Sequence, residues 1–447
     1  MRKRELIAGF SKLDRLQKID KVLHHIQEEQ NIKAELESYR HTNPQVQKLF
    51  DEFSENTITN FFMPYGISPN VLINGKLYHV PMVIEESSVV AAASNSAKFW
   101  STRGGFKASV KSMHKIGQVH FVWEGDGAKL HYLMPDIKER LIKRTALITS
   151  NMRARGGGIL DIELVDMTAQ LDNYYQLKAT FDTRDSMGAN FINTCLEEFA
   201  AELRMFFLEC KHFTDHERDV QIIMSILSNF TPECVVECLV ECPIDDLAGV
   251  DDTLTPLEFA QKFEKAVRIA QIDIHRATTH NKGIFNGIDA VALATGQDFR
   301  AIEACGHTFA SRNGRYSSLT DVSIENGVFK YTLTVALAVG TIGGLTALHP
   351  LAKRSLQLLD NPNAEQLMMI LATMGMANNF SAVKSLITKG IQLGHMKMHL
   401  LNILNHFGAT LAEKEAAVEH FKTHKVSFSG VEDFLICIRE KEVPNTI

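Results

Sequence analysis

Between about Ser112 and Ile244 the apolar residues change their spacing, and that block constrains the fold more than any other feature. Val119-His-Phe-Val-Trp123, Ile159-Leu-Asp-Ile-Glu-Leu-Val165 and Tyr174 to Phe181 read as strands, and Glu233 to Ile244 alternates as a strand again. Asn190 to Leu208 reads as a long helix. The flanks are different. Leu6, Phe10, Leu13, Leu16, Ile19 and Leu23 recur at helical spacing, and after Pro256 the chain turns helical, with one strand region near Val328 to Val339. Three more helical segments are expected from Ala364 onward. Strands and a long helix in a block of ~120 residues predict a compact α+β domain inserted into a helical host.

Smaller signals fill in the host. The turn Asn74-Gly75 between apolar stretches predicts a hairpin within Met63 to Val83. Glu85 to Trp100, rich in Ala and Ser, predicts a closely packed helix. Gln27 to Glu35 is strongly polar and reads as a solvated face or a loop. With 447 residues, 45% hydrophobic and 22% charged, the chain is long enough for two or three cored domains and is not a disordered chain. A net charge of −6 supplies no overall basic field for nucleic acid or anionic lipid.

Compartment follows from other features. The seven cysteines are odd in number and start only at Cys195, which is not a secreted disulfide framework. The opening MRKRELIAGFSKLDRLQKID has a basic start without an apolar stretch, so no signal peptide is expected. The uncharged run Tyr331 to Leu348 is long enough for a membrane span. Its Thr/Val/Leu alternation and Gly340, Gly343 and Gly344 predict a buried strand, turn and helix instead. A cytoplasmic protein without a membrane span is expected.

Several segments could carry chemistry. Neither GxGxxG nor GxxxxGK[ST] is present. Asp185-Ser-Met-Gly-Ala-Asn190 stands between a strand-like run and a helix start. Gly188 there would let backbone N–H groups and a helix N-terminus meet a pyrophosphate, or would simply make a tight capped turn. Glu85-Glu86 sits between an apolar strand end and an apolar helix start. It is either a general acid raised by burial or a pair of dipole-complementing helix-start residues. Lys282 lies between Asn281 and Gly283, and Asp298 follows a second glycine turn. The two read as a mutually tuned pair or as an ordinary salt bridge. His395 and His399 have i,i+4 zinc spacing, yet Met396 stands where HExxH needs Glu. Cys234, Cys238 and Cys242 share one strand face without a CxxC pair, so they read as buried thiols. No metal is expected.

In order along the chain, PYGISPNVLINGK, VPMVIEESSVVAAAS, RDSMGANFIN, RATTHNKGIFNGIDAVALATGQDFRAIEA, GRYSSLT and GIQLGHMKMH resemble class II HMG-CoA reductase over about Phe53 to His399. The resemblance implies four-electron reduction of HMG-CoA to mevalonate and CoA with two NAD(P)H, through a hemithioacetal and mevaldehyde. It implies Lys282 as oxyanion stabiliser, Glu86 as general acid, Asp298 as their hydrogen-bonding partner and His395 as proton donor to the CoA thiolate. Ser88, Arg276 and Asn286 would contact the HMG moiety, and His399 the flap or a CoA phosphate. Asp185, Met187, Gly188 and Asn190 match the cofactor loop.

The fold implied is α+β. A helical large substrate domain comprises 1–112 and 230–390, and a small non-Rossmann, ferredoxin-like cofactor domain comprises 113–229. A C-terminal helical flap comprises 391–447. A homodimer with the active site at the subunit interface, able to assemble further, is also implied.

The departures are Glu55-Asn-Thr-Ile-Thr59, which lacks the family's glycine, Ser87 in place of proline, and Ser186 in place of alanine. Thr149 stands where NAD-preferring relatives carry Asp, with Arg153 and Arg155 beside it, so NADPH is expected ahead of NADH. The alternatives are the same reaction run oxidatively to degrade mevalonate, or a silent CoA-binding scaffold. The scaffold would lack Lys282, Glu86 or His395, and all three are present.

Overall fold

The structure is a computed structural model that describes residues 6–388, 400–424 and 426–442. The chain divides into two compact units, residues 1–65 and 66–447. Among its described residues the first unit carries a short 3-10 helix (Phe10–Lys12) and three α-helices, α1 (Arg15–Leu23), α2 (Glu29–Ser38) and α3 (Pro44–Phe53). Asp14 and Gln17 close a capping box at the start of α1, and Asn43 caps α3 with Pro44 in its first turn. The polar stretch Gln27 to Glu35 falls mainly in α2 and is a solvated helix face, tied by Lys33 to Asp20 at 2.6 Å and to Glu29 at 2.7 Å.

The second unit is built on three sheets. Strands β1 (Tyr65–Ile73) and β2 (Lys76–Val83) pair across Asn74 and Gly75, both with positive φ, which is the backbone that Asn-Gly hairpin turns adopt. Then follow α4 (Ser87–Ser101), β3 (Lys107–Val110), β4 (His114–Val122), α5 (Gly127–Arg144), α6 (Ala146–Ala154), β5 (Gly158–Asp166), β6 (Tyr174–Asp182), α7 (Ala189–Glu209), β7 (Gln221–Leu227) and β8 (Val235–Pro243). Next come α8 (Pro256–Ile272), α9 (Ile274–Ala294), α10 (Phe299–Ala310), β9 (Thr320–Glu325), β10 (Val328–Ala336), α11 (Leu345–Leu348), α12 (Pro350–Leu358) and α13 (Ala364–Ile387). Two further helices span Leu411–His420 and Phe428–Glu442.

Three separate cores hold the described elements, the smallest formed by Leu404, Ala417, Phe421, Val431 and Leu435 around the last two helices. One four-stranded antiparallel sheet has the order β5-β6-β4-β7. It buries Phe121, Trp123, Phe181, Phe199 and Phe207 with α5 and α7. The other antiparallel sheet, β3-β8-β10-β9, joins α4, α8, α9, α10 and α13 around Trp100, Phe263, Phe329, Tyr331 and Phe380. Each fully buried aromatic contributes roughly 1.5–3 kcal/mol relative to exposure. The chain leaves the second sheet after β3 and rejoins it at β8, the strand next door: Val110 faces Val236, and Val235 N–H donates to the Ser112 carbonyl at 3.0 Å.

The run Tyr331 to Leu348 is the buried β10, a glycine turn and α11, and no described helix is long and apolar enough to cross a membrane. Three local expectations need correction. The single strand region near Val328 is a β9–β10 pair joined at Asn326-Gly327, both with positive φ. β7 is also a strand. It lacks alternation because it is an edge, with Ile223, Met224 and Ile226 about half exposed and a register shift opposite His120/Phe121. Finally, Arg276 to Gly287 is not a turn but continuous α9. Its glycine at 287 serves close packing, since a Cβ there would fall 2.2 Å from the Met374 carbonyl oxygen of α13.

Candidate active site

α9 carries one wall of a cavity of about 410 Å³ whose lining includes Glu86, Ser88, Arg276, Lys282 and Asn286. Five residues expected to act together from sequence are therefore neighbours. Glu86 is the N-cap residue of α4, with extended backbone after β2 and no side-chain bond to the helix N-terminus. Its carboxylate turns into the cavity instead: Oε1 accepts from the Ser88 hydroxyl at 2.8 Å, and Oε2 meets Lys282 Nζ at 3.2 Å. The Lys282 side chain is 63% exposed and that of Glu86 36%. An ion pair so open to water contributes at most ~1 kcal/mol to folding. What it offers is an ammonium and a carboxyl within proton-transfer reach of each other.

The floor of this cavity is a lattice of buried amides and hydroxyls. Asn379 Nδ2 donates to the His280 carbonyl at 2.7 Å, and its Oδ1 accepts from the Tyr331 hydroxyl at 2.5 Å. Asn378 donates to the Val89 carbonyl at 2.8 Å, and Ser381 to the Ala92 carbonyl at 2.7 Å, lacing α13 to α4. Asn281 clasps the Ser317–Leu319 segment, donating to the Ser317 carbonyl and accepting from Leu319 N–H. His280 bonds Thr320 Oγ1 through Nε2 at 2.7 Å. Burial, with a smaller push from the Arg276 charge, drives the His280 pKa down to about 3, so this ring is neutral. Burial also lowers the Arg276 pKa from its usual value.

Eleven residues along α9 from Lys282, roughly 16 Å at 1.5 Å per residue, Leu293 opens onto a second cavity of about 650 Å³. Met187, Gly188, Asn190 and Asp298 line it. Gly188 caps α7 with φ +90°, and no side chain among the described residues caps that helix, so its first N–H groups open toward the cavity. A Cβ on Gly188 would lie 2.4 Å from Thr183 Cγ2. Gln297 grips the Gly340 backbone with both amide atoms, at 2.9 Å each, and a Cβ on Gly340 would lie 2.3 Å from Met187 N. Asp298 caps α10 by accepting from Ala301 N–H at 3.1 Å and pairs with Arg300 at 3.4 Å. Asp185 accepts from Ala364 N–H at 2.8 Å, which anchors the loop to the start of α13. Both cradles suit a ligand that approaches backbone closely and presents anionic oxygens to a helix N-terminus.

Thr149 is buried in α6, its hydroxyl donated to the Thr145 carbonyl at 2.9 Å. Arg153 is exposed on the same helix and donates to the Ala146 carbonyl at 2.8 Å. His395 and His399 lie outside the described residues. Sequence reasoning missed Asn378, Ser381 and Lys384 on the first cavity and Gln297 and Gly340 on the second. A signal was available: Asn378-Asn379 and Ser381 interrupt an otherwise apolar helix, where buried polar groups imply partners. Cys234, Cys238 and Cys242 are buried and free, and burial pushes their thiols up to about 12, 12 and 11.

The family model for hydroxymethylglutaryl-coenzyme A reductase matches residues 17–400. The chain belongs to that family. The HMG-CoA reductases it resembles include the 3-hydroxy-3-methylglutaryl-coenzyme A reductase of Archaeoglobus fulgidus, 36% identical over 83% of this chain and 80% of the relative. A probable HMG-CoA reductase of Borreliella burgdorferi is 31% identical over 90% of this chain and 89% of its own length. Among solved structures, a class II HMG-CoA reductase of Streptococcus pneumoniae bound to NADPH superposes with a TM-score of 0.69 at 34% identity, covering 85% of this chain and 99% of that one. A second Streptococcus pneumoniae HMG-CoA reductase structure gives 0.70 at 32% identity over 96% and 99%. The mixed fold with antiparallel sheets is that of class II HMG-CoA reductases, and the family makes the chain an oxidoreductase.

Proposed function

We propose that this HMG-CoA reductase family member reduces 3-hydroxy-3-methylglutaryl-CoA to mevalonate and CoA with two equivalents of NAD(P)H. The observation that carries this reading is the Lys282–Glu86 pair in a cavity shared with Ser88, Arg276 and Asn286. When bound, the nicotinamide cofactor supplies the two hydrides. Arg276, Ser88 and Asn286 bind the carboxylate and hydroxyl groups of the acyl substrate. Lys282 stabilises the negative charge that develops on the thioester oxygen, where a preplaced cation lowers the barrier most. As the hemithioacetal collapses, His395 protonates the departing CoA thiolate. Glu86 then gives a proton to the aldehyde oxygen during the second reduction, whereas the Asp298 expected beside this pair is held on the second cavity by Ala301 N–H and Arg300, with no bond to Lys282 or Glu86. His399 supports the flap or a CoA phosphate.

The dinucleotide is placed on Met187, Gly188 and Asn190, with Asp185 holding their loop. The uncapped start of α7 and the space left by two missing Cβ atoms support that assignment. NADPH is proposed as the preferred form. Thr149 offers no carboxylate to a ribose hydroxyl, while Arg153, Arg155 and Arg184 surround Gly156 to Gly158, with Arg184 bonded to the Gly156 carbonyl. The order of β4, α5, α6, β5, β6, α7 and β7, and their sheet, support a ferredoxin-like cofactor domain at 113–229. The proposed large domain is 1–112 with 230–390, and the flap is 391–447. The exposure of Lys282 supports a homodimer whose second subunit completes the site. Six buried free thiols support residence in a reducing cytoplasm.

The test is absorbance at 340 nm with HMG-CoA and either NADPH or NADH. Two reduced cofactors consumed per CoA released, with a lower KM for NADPH, are expected. No consumption with either nucleotide would sink the reading.

A further inference from the structure

Lys115 is a lysine where a chain rarely puts one. It lies on β4 among residues that face the core, and only 4% of it is exposed. Its Nζ donates to the Thr183 hydroxyl at 2.5 Å and to the Ser186 carbonyl at 3.0 Å, and the Thr183 hydroxyl donates to that same carbonyl at 2.6 Å. Taking an ammonium out of water costs several kcal/mol even after relaxation, and a methionine would fill the same space without that cost. Two donors therefore converge on one backbone oxygen at the turn that opens the dinucleotide cradle. Ser186 is fixed from its other side as well, since its hydroxyl accepts from Gly188 N–H at 3.1 Å.

The consequence follows from peptide geometry. In a trans peptide the carbonyl and the following N–H point in opposite directions. Pinning the Ser186 carbonyl onto Lys115 and Thr183 turns the Met187 N–H away from the small-domain core, toward Gly340, on the wall of the 650 Å³ cavity. Thr183 also forms the surface against which Gly188 rests, at a spacing that admits no Cβ. One buried side chain thus sets both the orientation of a peptide and the seat of a helix N-terminus. Asp182 and Asp185 lie close enough to favour the ammonium, while burial pulls its pKa below the usual lysine value.

We propose that Lys115 is a positioning residue for the dinucleotide site, acting through Thr183 and the Ser186 carbonyl to hold the Ser186–Met187 peptide for the cofactor. The proposal rests on the assignment of that cavity to the nicotinamide cofactor. Its test uses the full-length enzyme and three variants: Lys115→Met, Thr183→Val and Thr183→Ser. Thr183→Val keeps the shape and removes the relay hydroxyl, so it decides the matter even where Lys115→Met fails to fold.

With Thr183→Val we expect the KM for NADPH to rise about tenfold, the KM for HMG-CoA to stay within twofold, and kcat to fall less than threefold. Thr183→Ser should restore the NADPH KM, and Lys115→Met, where folded, should exceed the Thr183→Val effect. Equal increases in both KM values, or an unchanged NADPH KM, would overturn the proposal. Wild-type enzyme that quenches no NADPH or NADH fluorescence would instead remove the cofactor assignment itself, so the two failures are distinguishable.

Discussion

The two cavities along α9 are built on opposite principles. The one holding Lys282 and Glu86 is shaped by side chains: Asn281, Asn378, Asn379 and Ser381 are buried and each is bonded to backbone on a neighbouring segment, while buried His280 bonds the Thr320 hydroxyl. The one holding Met187 and Gly188 is shaped by backbone, with missing Cβ atoms at 188 and 340 and one buried lysine beneath. Directional polar groups suit the discrimination of the small acyl group proposed for the first cavity, and N–H groups with a helix end suit the phosphates of the dinucleotide proposed for the second. The comparison teaches that the first site tolerates no loss of a polar atom, whereas the second tolerates no gain of a carbon.

The largest break in that comparison is expected from Lys282→Ala. Turnover should fall by about a thousandfold or more, while the melting temperature moves by less than about 2 °C, because an exposed ion pair contributes little. Steady-state kinetics beside a thermal melt reads both. Gly340→Ala comes next. Its methyl would meet Met187 N at 2.3 Å, so NADPH affinity should drop about a hundredfold with HMG-CoA affinity nearly kept. Isothermal titration with each ligand separates the two.

Asn379→Ala should cost about 2–4 kcal/mol in urea unfolding, since it leaves the Tyr331 hydroxyl and the His280 carbonyl without that partner. The same variant should lower kcat/KM for HMG-CoA about tenfold and leave NADPH binding unchanged. The smallest effect concerns Asp289, on α9 between the cavities. Burial, then the Glu303 charge and hydrogen bond, hold its carboxyl well above the usual carboxylate range, and its Oδ1 is buried without a partner among the described residues. A raised folded-state pKa means that the native state binds the extra proton. The stability it confers is present below the ordinary carboxylate pKa and is lost as pH rises through the folded value. Asp289→Asn should therefore melt about 2–4 °C above wild type at pH 8, with the gap closing as pH is lowered toward 4. A gap that widens in acid would reverse the assignment.

Much of the arrangement was legible because its signals are local. β4, β5, β6 and α7 declare their periods, and Asn74-Gly75 declares its turn. Glu86, Ser88, Arg276, Lys282 and Asn286 stood out through the motifs around them, and the fold brings them to one cavity. What stayed hidden depends on partners distant in sequence. Gly287 looked like a turn residue because the helix that needs its smallness, α13, lies some ninety positions further on. β7 kept no alternation because one of its flanks is solvent. Asn378 and Ser381 sit in a segment whose apolar character masked them, and Lys115 has no local mark at all: only the loop folded over it shows why a cation is there.

Gly287 and Gly375 together set a ruler for the cavity of Lys282 and Glu86. A Cβ at 287 would meet the Met374 carbonyl at 2.2 Å, and one at 375 would meet Ile288 Cγ1 at 2.8 Å. The width between the helix bearing Lys282 and the helix bearing Ser381 is thus fixed one turn below the lining, by two hydrogen atoms. An engineer seeking room for a bulkier acyl group can trim the lining only within that width. Wedging the helices apart at either glycine would move Lys282 before it widened the space around it.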